Sequence, residues 1–351
     1  MLEKIKVLVV DDSAFMRKSL SLLLESDPNI KVIDTARDGL DGYEKVKLLK
    51  PDIVTLDIEM PNMDGLTALK KIMTECPTPV LMISSLTTEG ASETIKALEL
   101  GAVDFIPKSM SYVNFSISGI KEDLIKKVKD IHHNKNVIKK LRSISVHKNN
   151  QTNSKLGKLP AINYKALAIG ISTGGPISLQ KVIPFLSEKI NIPVFIVQHM
   201  PPKFTASLAE RLNSLSPFRV KEAEDGEIVQ KGVVYIAQGG RHMTFIKDKS
   251  NNAIIQISDD GNNVLHKPSV DIMFESAQEI YGKNMLGVIM TGMGKDGFEA
   301  VKKLKKIGGH CIAQDEKTCV VYGMPRVIVT NGLADLVVPL EDIPKIINEV
   351  I

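Results

Sequence analysis

The sequence predicts two unlike α/β domains, an N-terminal one built on a parallel sheet and a C-terminal doubly wound one, joined by a polar segment. Three observations carry this reading. Short apolar runs alternate with amphipathic helical stretches up to Lys108 and again from about Tyr164 onward, the pattern of parallel sheets covered by helices on both faces. Between them, SISVHKNNQTNSKLGK at 143–158 has almost no apolar periodicity and reads as a flexible tether. No internal repeat relates the halves, and 351 residues are too many for one ordinary core.

In the first half, Val7–Val10, Ile30–Thr35, Ile53–Leu56, Val80–Ile83 and Val103–Pro107 read as strands. Their short, nearly all-apolar character suits a sheet buried on both sides. Phe15–Leu24, Gly42–Leu49, Gly65–Met73 and Glu93–Leu100 have helical spacing between them. Leu124, Ile125, Val128 and Ile131 give the lysine-rich stretch Lys121–Lys140 one apolar face, as in a last domain helix running into the linker. The expected domains are therefore 1–122, a helical and flexible linker at 123–160, and 161–351. Strand-like runs in the second half include Ala166–Ile171, Val194–Val197, Gly232–Ala237, Leu286–Met290 and Leu336–Leu340.

Composition excludes several classes. A formal net charge of +4 is small for this length, and no dense Lys/Arg block interleaved with aromatics argues for nucleic acid. Cys76, Cys311 and Cys319 form no CxxC pair, which argues against a disulfide framework and fits a reducing compartment. The opening MLEKIKVLVVDDSAF has an apolar run of four residues ending in two aspartates. No signal peptide or membrane insertion is expected from it, and the cytoplasm is the default location.

In a parallel sheet, ligands bind beyond the carboxyl ends of the strands. Asp11, Asp12 and Asp57 fall at such ends, as do Ser84 and Lys108. Clustered carboxylates repel one another unless a cation neutralises them, and Mg²⁺ is the hard ion that accepts a few carboxylates while keeping waters. Asp57, on a central strand, can act as a nucleophile at phosphorus. Lys108 would pair with the resulting phosphoryl oxygens, and the Ser84 hydroxyl would hydrogen-bond to one. Taken singly, each residue reads more readily as a helix cap or a surface charge, whereas the five together at consistent strand ends favour a site.

VVDDS, LDIEMPNMDG, MISS and DFIPK make residues 5–108 resemble the receiver domain of two-component response regulators. The resemblance implies a five-stranded flavodoxin-like fold, with Asp57 phosphorylated by a chemotaxis histidine kinase and Mg²⁺ held by Asp11, Asp12, Asp57 and the backbone carbonyl of Glu59. It also places Phe105 at the position of an aromatic switch residue; a plain core aromatic is the other reading.

In the second half, GISTGGP follows an apolar run, so Ser172 sits at a sharp strand-to-helix turn. A serine is a weak nucleophile without a base. His199, in PVFIVQHMPP, ends a strand at the same sheet edge, whereas His132, His133 and His147 lie near the linker, and His242, His266 and His310 are less well placed. Asp296 in VIMTGMGKDG lies just beyond another strand and could orient the imidazole, while amides near Met293 could receive an oxyanion. The order Ser172, His199, Asp296 disfavours an α/β-hydrolase, whose acid precedes its histidine. No P-loop lysine follows the glycines. From spacing alone, a triad and purely structural glycine turns both remain open.

GISTGGP, VQHMPPKFT, GGRHM, HKPSVDIMF, MTGMGKDG and AQDEKTCVVYGMP, in that order, resemble the catalytic domain of the chemotaxis protein-glutamate methylesterase family over roughly residues 162–350. The resemblance implies Ser172 as nucleophile, His199 as base, Asp296 as orienting acid, the Met293 amide as oxyanion donor and Thr173 lining the site. Gln238 stands where proline is more usual. The implied activity is phosphorylation-activated hydrolysis of glutamate γ-methyl esters on chemoreceptor cytoplasmic domains, with deamidation of receptor glutamines and no cofactor for the hydrolase. In that family the unphosphorylated receiver blocks the catalytic cleft. Arg241 and His242 read equally as substrate contacts or turn-stabilising residues, Met324 and Pro325 as cleft-lining or loop residues, and Cys319 as a small buried apolar residue. A non-catalytic response regulator with a binding-only second domain is the competing class, and methanol release separates the two.

Overall fold

The computed structural model describes residues 3–108, 117–134, 137–145, 158–160, 162–259 and 266–351. The chain divides into two compact units, Met1–Val146 and His147–Ile351.

The first unit runs β1 (Ile5–Val10), α1 (Ala14–Glu25), β2 (Ile30–Ala36), α2 (Gly39–Leu49), β3 (Ile53–Asp57), α3 (Gly65–Glu75), β4 (Val80–Ser85), α4 (Thr88–Glu99), β5 (Asp104–Lys108), α5 (Ile117–His133) and α6 (Val137–Ser145). All strands are parallel, in the order β2-β1-β3-β4-β5. Helix starts are marked by side-chain caps: Ser13, Asp38, Asp64 and Thr87 each accept a first-turn amide. The Thr87 cap starts α4 five residues before the expected Glu93. The boundary expected at 122 falls inside α5. Leu124, Val128, Ile131, Val137 and Leu141 are all buried, which is why α5 and α6 belong to the first compact unit. Residues 146–157 of the expected tether lie outside the described residues.

The second unit runs β6 (Ala166–Ile171), α7 (Gly175–Val182), β7 (Val194–Gln198), α8 (Phe204–Leu215), β8 (Val220–Glu222), β9 (Val234–Ile236), β10 (His242–Lys247), β11 (Ala253–Ser258), α9 (Val270–Tyr281), β12 (Met285–Ile289), α10 (Phe298–Lys306), β13 (His310–Gln314), α11 (Met324–Thr330), β14 (Leu336–Val338) and α12 (Ile343–Val350). Seven strands form a parallel sheet ordered β14-β13-β12-β6-β7-β9-β8, and β10 and β11 pair as an antiparallel hairpin. Every residue of β6 is buried. Leu167 and Ile169 on this central strand each contribute roughly 1.5–3 kcal/mol by burial. The fold class is as the sequence predicts. The β10–β11 hairpin and the three-residue β8 were not read from it.

Strand order positions both sites. In the first sheet, connections leave in opposite directions from β1 and β3, and in the second from β6 and β12. Each such switch point opens a crevice at the carboxyl ends of the strands.

Candidate functional site

At the first switch point, Asp11 and Asp12 follow β1 and Asp57 ends β3, with a carboxylate oxygen from each lying within 4.8 Å of the others. Lys108, at the end of β5, donates to Asp57 Oδ2 at 2.6 Å and pairs with Asp11 Oδ2 at 3.2 Å. Asp11 Oδ1 accepts the Ser13 amide at 2.9 Å. Burial pushes both carboxyls up, Asp57 to about 6, against the opposing pull of Lys108. One ammonium therefore leaves the cluster short of positive charge. A hard divalent cation fits the all-oxygen donor set.

At the second switch point, the ladder pairs Ile171 with Gln198 and Ile289 with Gly170. Ser172 and His199 are thus the first residues beyond adjacent strands, and both are partly exposed where their neighbours are buried. Ser172 N donates to Thr291 O at 2.9 Å, and Gly175 N donates to Ser172 O at 2.8 Å, closing the turn into α7. His199 Nε2 donates to Asp296 Oδ2 at 2.8 Å. Among the described residues no hydrogen bond joins Ser172 Oγ to His199; such bonds are often long before substrate binds.

Asp296 sits at the start of α9. Its Oδ2 also accepts the Val270 amide at 2.7 Å, and its Oδ1 accepts the Asp271 amide, the Gly297 amide and Ser269 Oγ, each at 3.0 Å. Burial alone would raise this carboxyl. The His199 hydrogen bond and charge, with the amides of Asp271 and Val270, outweigh it and hold Asp296 well below the usual carboxylate range. An anion can only accept, so the hydrogen of this bond lies on His199 Nε2, and Nδ1 is the ring nitrogen left to exchange a proton. Nδ1 is shielded from solvent, with no partner among the described residues.

Asp271 returns the contact by accepting the Ala300 amide of α10 at 2.8 Å. Each of the two helix starts is thereby tied by an acid from the other. The His266 ring stacks on His199 with centroids 4.2 Å apart.

The glycine loop after β12 approaches the serine closely. A Cβ on Gly292 would lie 2.7 Å from Ser172 Cβ and 2.5 Å from Met324 Sδ. Gly292 O accepts the amides of Gly323 and Met324 at 3.0 and 2.9 Å, while the Met293 amide donates to no backbone carbonyl among the described residues. Thr173 is buried, and its carbonyl accepts Thr291 Oγ1 at 2.9 Å.

Residues 167–347 match the CheB methylesterase family, and residues 7–115 match the response regulator receiver domain. The chain is 47% identical over 363 residues to protein-glutamate methylesterase/protein-glutamine glutaminase 1 of Oleidesulfovibrio alaskensis, covering 98% of each chain. The chain belongs to the CheB methylesterase family. A Thermotoga maritima protein-glutamate methylesterase/protein-glutamine glutaminase is 46% identical over 351 residues, with 99% of this chain and 98% of that one covered. The crystal structure of the Thermotoga maritima CheB methylesterase catalytic domain matches at 44% identity and a TM-score of 0.52, over 54% of this chain and 100% of that one.

Other residues singled out in the sequence take definite places in this receiver and methylesterase domain. The Ser84 hydroxyl donates to Gly90 O at 3.1 Å and accepts Thr94 Oγ1 at 2.6 Å, so it is turned toward α4. Phe105 is buried, with the Lys127 ammonium 5.6 Å above its ring. Glu59 is exposed, and its carboxylate accepts Ser85 Oγ at 3.1 Å. Arg241 pairs with Asp259 at the surface, and Gln238 Nε2 donates to Ala223 O at 2.9 Å. His242 is buried, which lowers its pKa, and its Nδ1 accepts the Ser269 amide at 3.3 Å. Met324 and Pro325 open α11, and Cys319 is a buried thiol whose Sγ donates to Gln314 O at 3.9 Å. Sequence reasoning missed the support for Asp296. Ser269 before the apolar VDIMF was its available signal, a helix cap.

Proposed function

We propose that the chain hydrolyses glutamate γ-methyl esters on chemoreceptor cytoplasmic domains, and deamidates receptor glutamines, through Ser172, His199 and Asp296 under control of Asp57 phosphorylation. The observation that carries this is the Asp296–His199 pair, held as anion and oriented imidazole at the strand end next to Ser172. Ser172 Oγ attacks the ester carbonyl carbon while His199 Nδ1 takes its proton. The oxyanion is received by the Met293 amide, with Thr173 lining the site. The imidazolium then protonates departing methanol, and a water deprotonated by His199 releases the glutamate. An amide passes through the same tetrahedral intermediate and releases ammonia.

In the receiver, Asp11, Asp12 and Asp57, with the Glu59 carbonyl, would hold Mg²⁺, which supplies charge neutralisation for phosphoryl transfer from a chemotaxis histidine kinase. Lys108 is placed to shift from the Asp57 carboxylate to a phosphoryl oxygen, and Ser84 would turn from Gly90 toward it. The same reading puts the protein in the cytoplasm; among the described residues no helix is long and apolar enough to cross a membrane.

The test is release of labelled methanol from methylated receptor membranes. Ser172→Ala is expected to abolish it while Asp57 is still phosphorylated, and normal turnover would refute the assignment. A chain beginning near Asn163 is expected to be more active than the unphosphorylated full chain; equal activity would rule out restraint by the receiver.

A further inference from the structure

We propose that Gln198 is a positioning residue that fixes the nucleophile and the base relative to each other. The inference rests on Ser172 and His199 holding those roles. Gln198 ends β7, immediately before His199, and is 2% exposed. Its side-chain Nε2 donates to Ser172 O at 3.0 Å and to His199 O at 3.3 Å. An amide nitrogen has two hydrogens, and here each has one acceptor. The flipped amide would set an oxygen against two carbonyl oxygens, so the orientation follows from the partners.

The ladder between β6 and β7 closes with His199 N donating to Ile171 O at 3.2 Å. Beyond that bond the two strand ends would be free to splay. The Gln198 side chain continues the pairing by one residue, across the pair that reacts. Ser172 is then held from both sides: its N–H by Thr291 after β12, its carbonyl by Gln198 from β7 in addition to the Gly175 amide.

Packing alone does not account for an amide here. Gln198 Oε1 is shielded and has no hydrogen-bond partner among the described residues, which is unfavourable for a buried acceptor. It also requires glycine at 175, because a Cβ there would come within 1.7 Å of Oε1. A methionine would fill the same space with no unpaired atom. Retaining a locally unfavourable group points to a geometric task at the site.

The test is Gln198→Met in the full chain, assayed by methanol release from methylated receptor membranes. Active sites are titrated with a fluorophosphonate so that rates refer to folded enzyme. The expected result is a kcat lowered by about tenfold or more, the scale of a displacement well under 1 Å between reacting groups, with KM within about twofold and Tm at or above the parent value. A kcat within about twofold of the parent overturns the proposal, as does a parallel rise in KM. If this variant does not fold, Gln198→Glu, which keeps the length but turns both donors into acceptors, is held to the same kcat and KM criteria. Failure of both to fold makes Gln198 a folding residue and also overturns it. Ser172→Ala run alongside separates the two readings: its retained activity would sink the triad, whereas an inactive Ser172→Ala beside a fully active Gln198→Met sinks only the role of Gln198.

Discussion

The two sites occupy the same topological position in their respective sheets and differ in electrostatic completeness. In the receiver, burial raises Asp57 and Asp11 because a single ammonium serves the cluster. In the methylesterase domain, Asp296 is held low because three donors at the start of α9, the Gly297 amide before α10 and an imidazole satisfy it. The first arrangement lacks a partner and is suited to respond when a cation and a phosphoryl group arrive. The second is finished before substrate binds. One fold geometry thus supports a switch or a catalyst according to whether its strand-end charges are satisfied from within.

Removing the satisfied charge should have the largest consequence. Asp296→Asn is expected to lower kcat for methanol release by roughly 10³–10⁴-fold, because the amide can hold His199 in the wrong tautomer; a loss under about tenfold would show that Asp296 does not orient the base. Chelating Mg²⁺ should slow Asp57 phosphorylation by roughly 10²-fold or more and leave methanol release by a chain beginning near Asn163 unchanged. If both fall together, the two sites are not independent in their needs.

The opposite pKa shifts predict opposite stability effects. Asp57 has a folded-state pKa above its unfolded value, so its contribution to stability falls as pH rises from about 4 to about 6. At pH 7 without Mg²⁺, Asp57→Asn is therefore expected to be more stable than the parent in urea titration, by on the order of 1–3 kcal/mol, with excess Mg²⁺ closing the gap. Asp296 has a folded-state pKa below its unfolded value, so its stabilisation is complete above about pH 4 and is lost as pH falls further. Asp296→Asn should flatten that acid limb of the unfolding curve. The smallest effect is expected from Ser269→Ala, which removes one donor to Asp296 and the cap of α9 and should cost about 1 kcal/mol.

The candidate site groups are legible because each ends a short apolar run. Asp11, Asp57, Ser84, Lys108, Ser172 and His199 all mark the ends of β-strands, and parallel topology gathers such ends at one edge. What supports them was not legible. The amides of Val270 and Asp271 lie about 26 residues before Asp296 in the chain, and the packing of α9 against α10 and β6 makes them its partners. The orientation of Ser84 toward Gly90 depends on where α4 begins, and the Thr87 cap placed that start earlier than the apolar spacing from Glu93 implied. The β10–β11 hairpin escaped because a single face is buried over only part of HMTFIK.

The central claim is that Ser172 carries out the hydrolysis while Asp57 carries the signal. Titrating the full chain with a mass-tagged fluorophosphonate, followed by peptide mapping, measures this most directly. One adduct per chain is predicted, on the peptide containing Ser172, with methanol release lost in proportion and Asp57 phosphorylation unchanged. An adduct elsewhere, or methanol release that survives complete modification of Ser172, would contradict it.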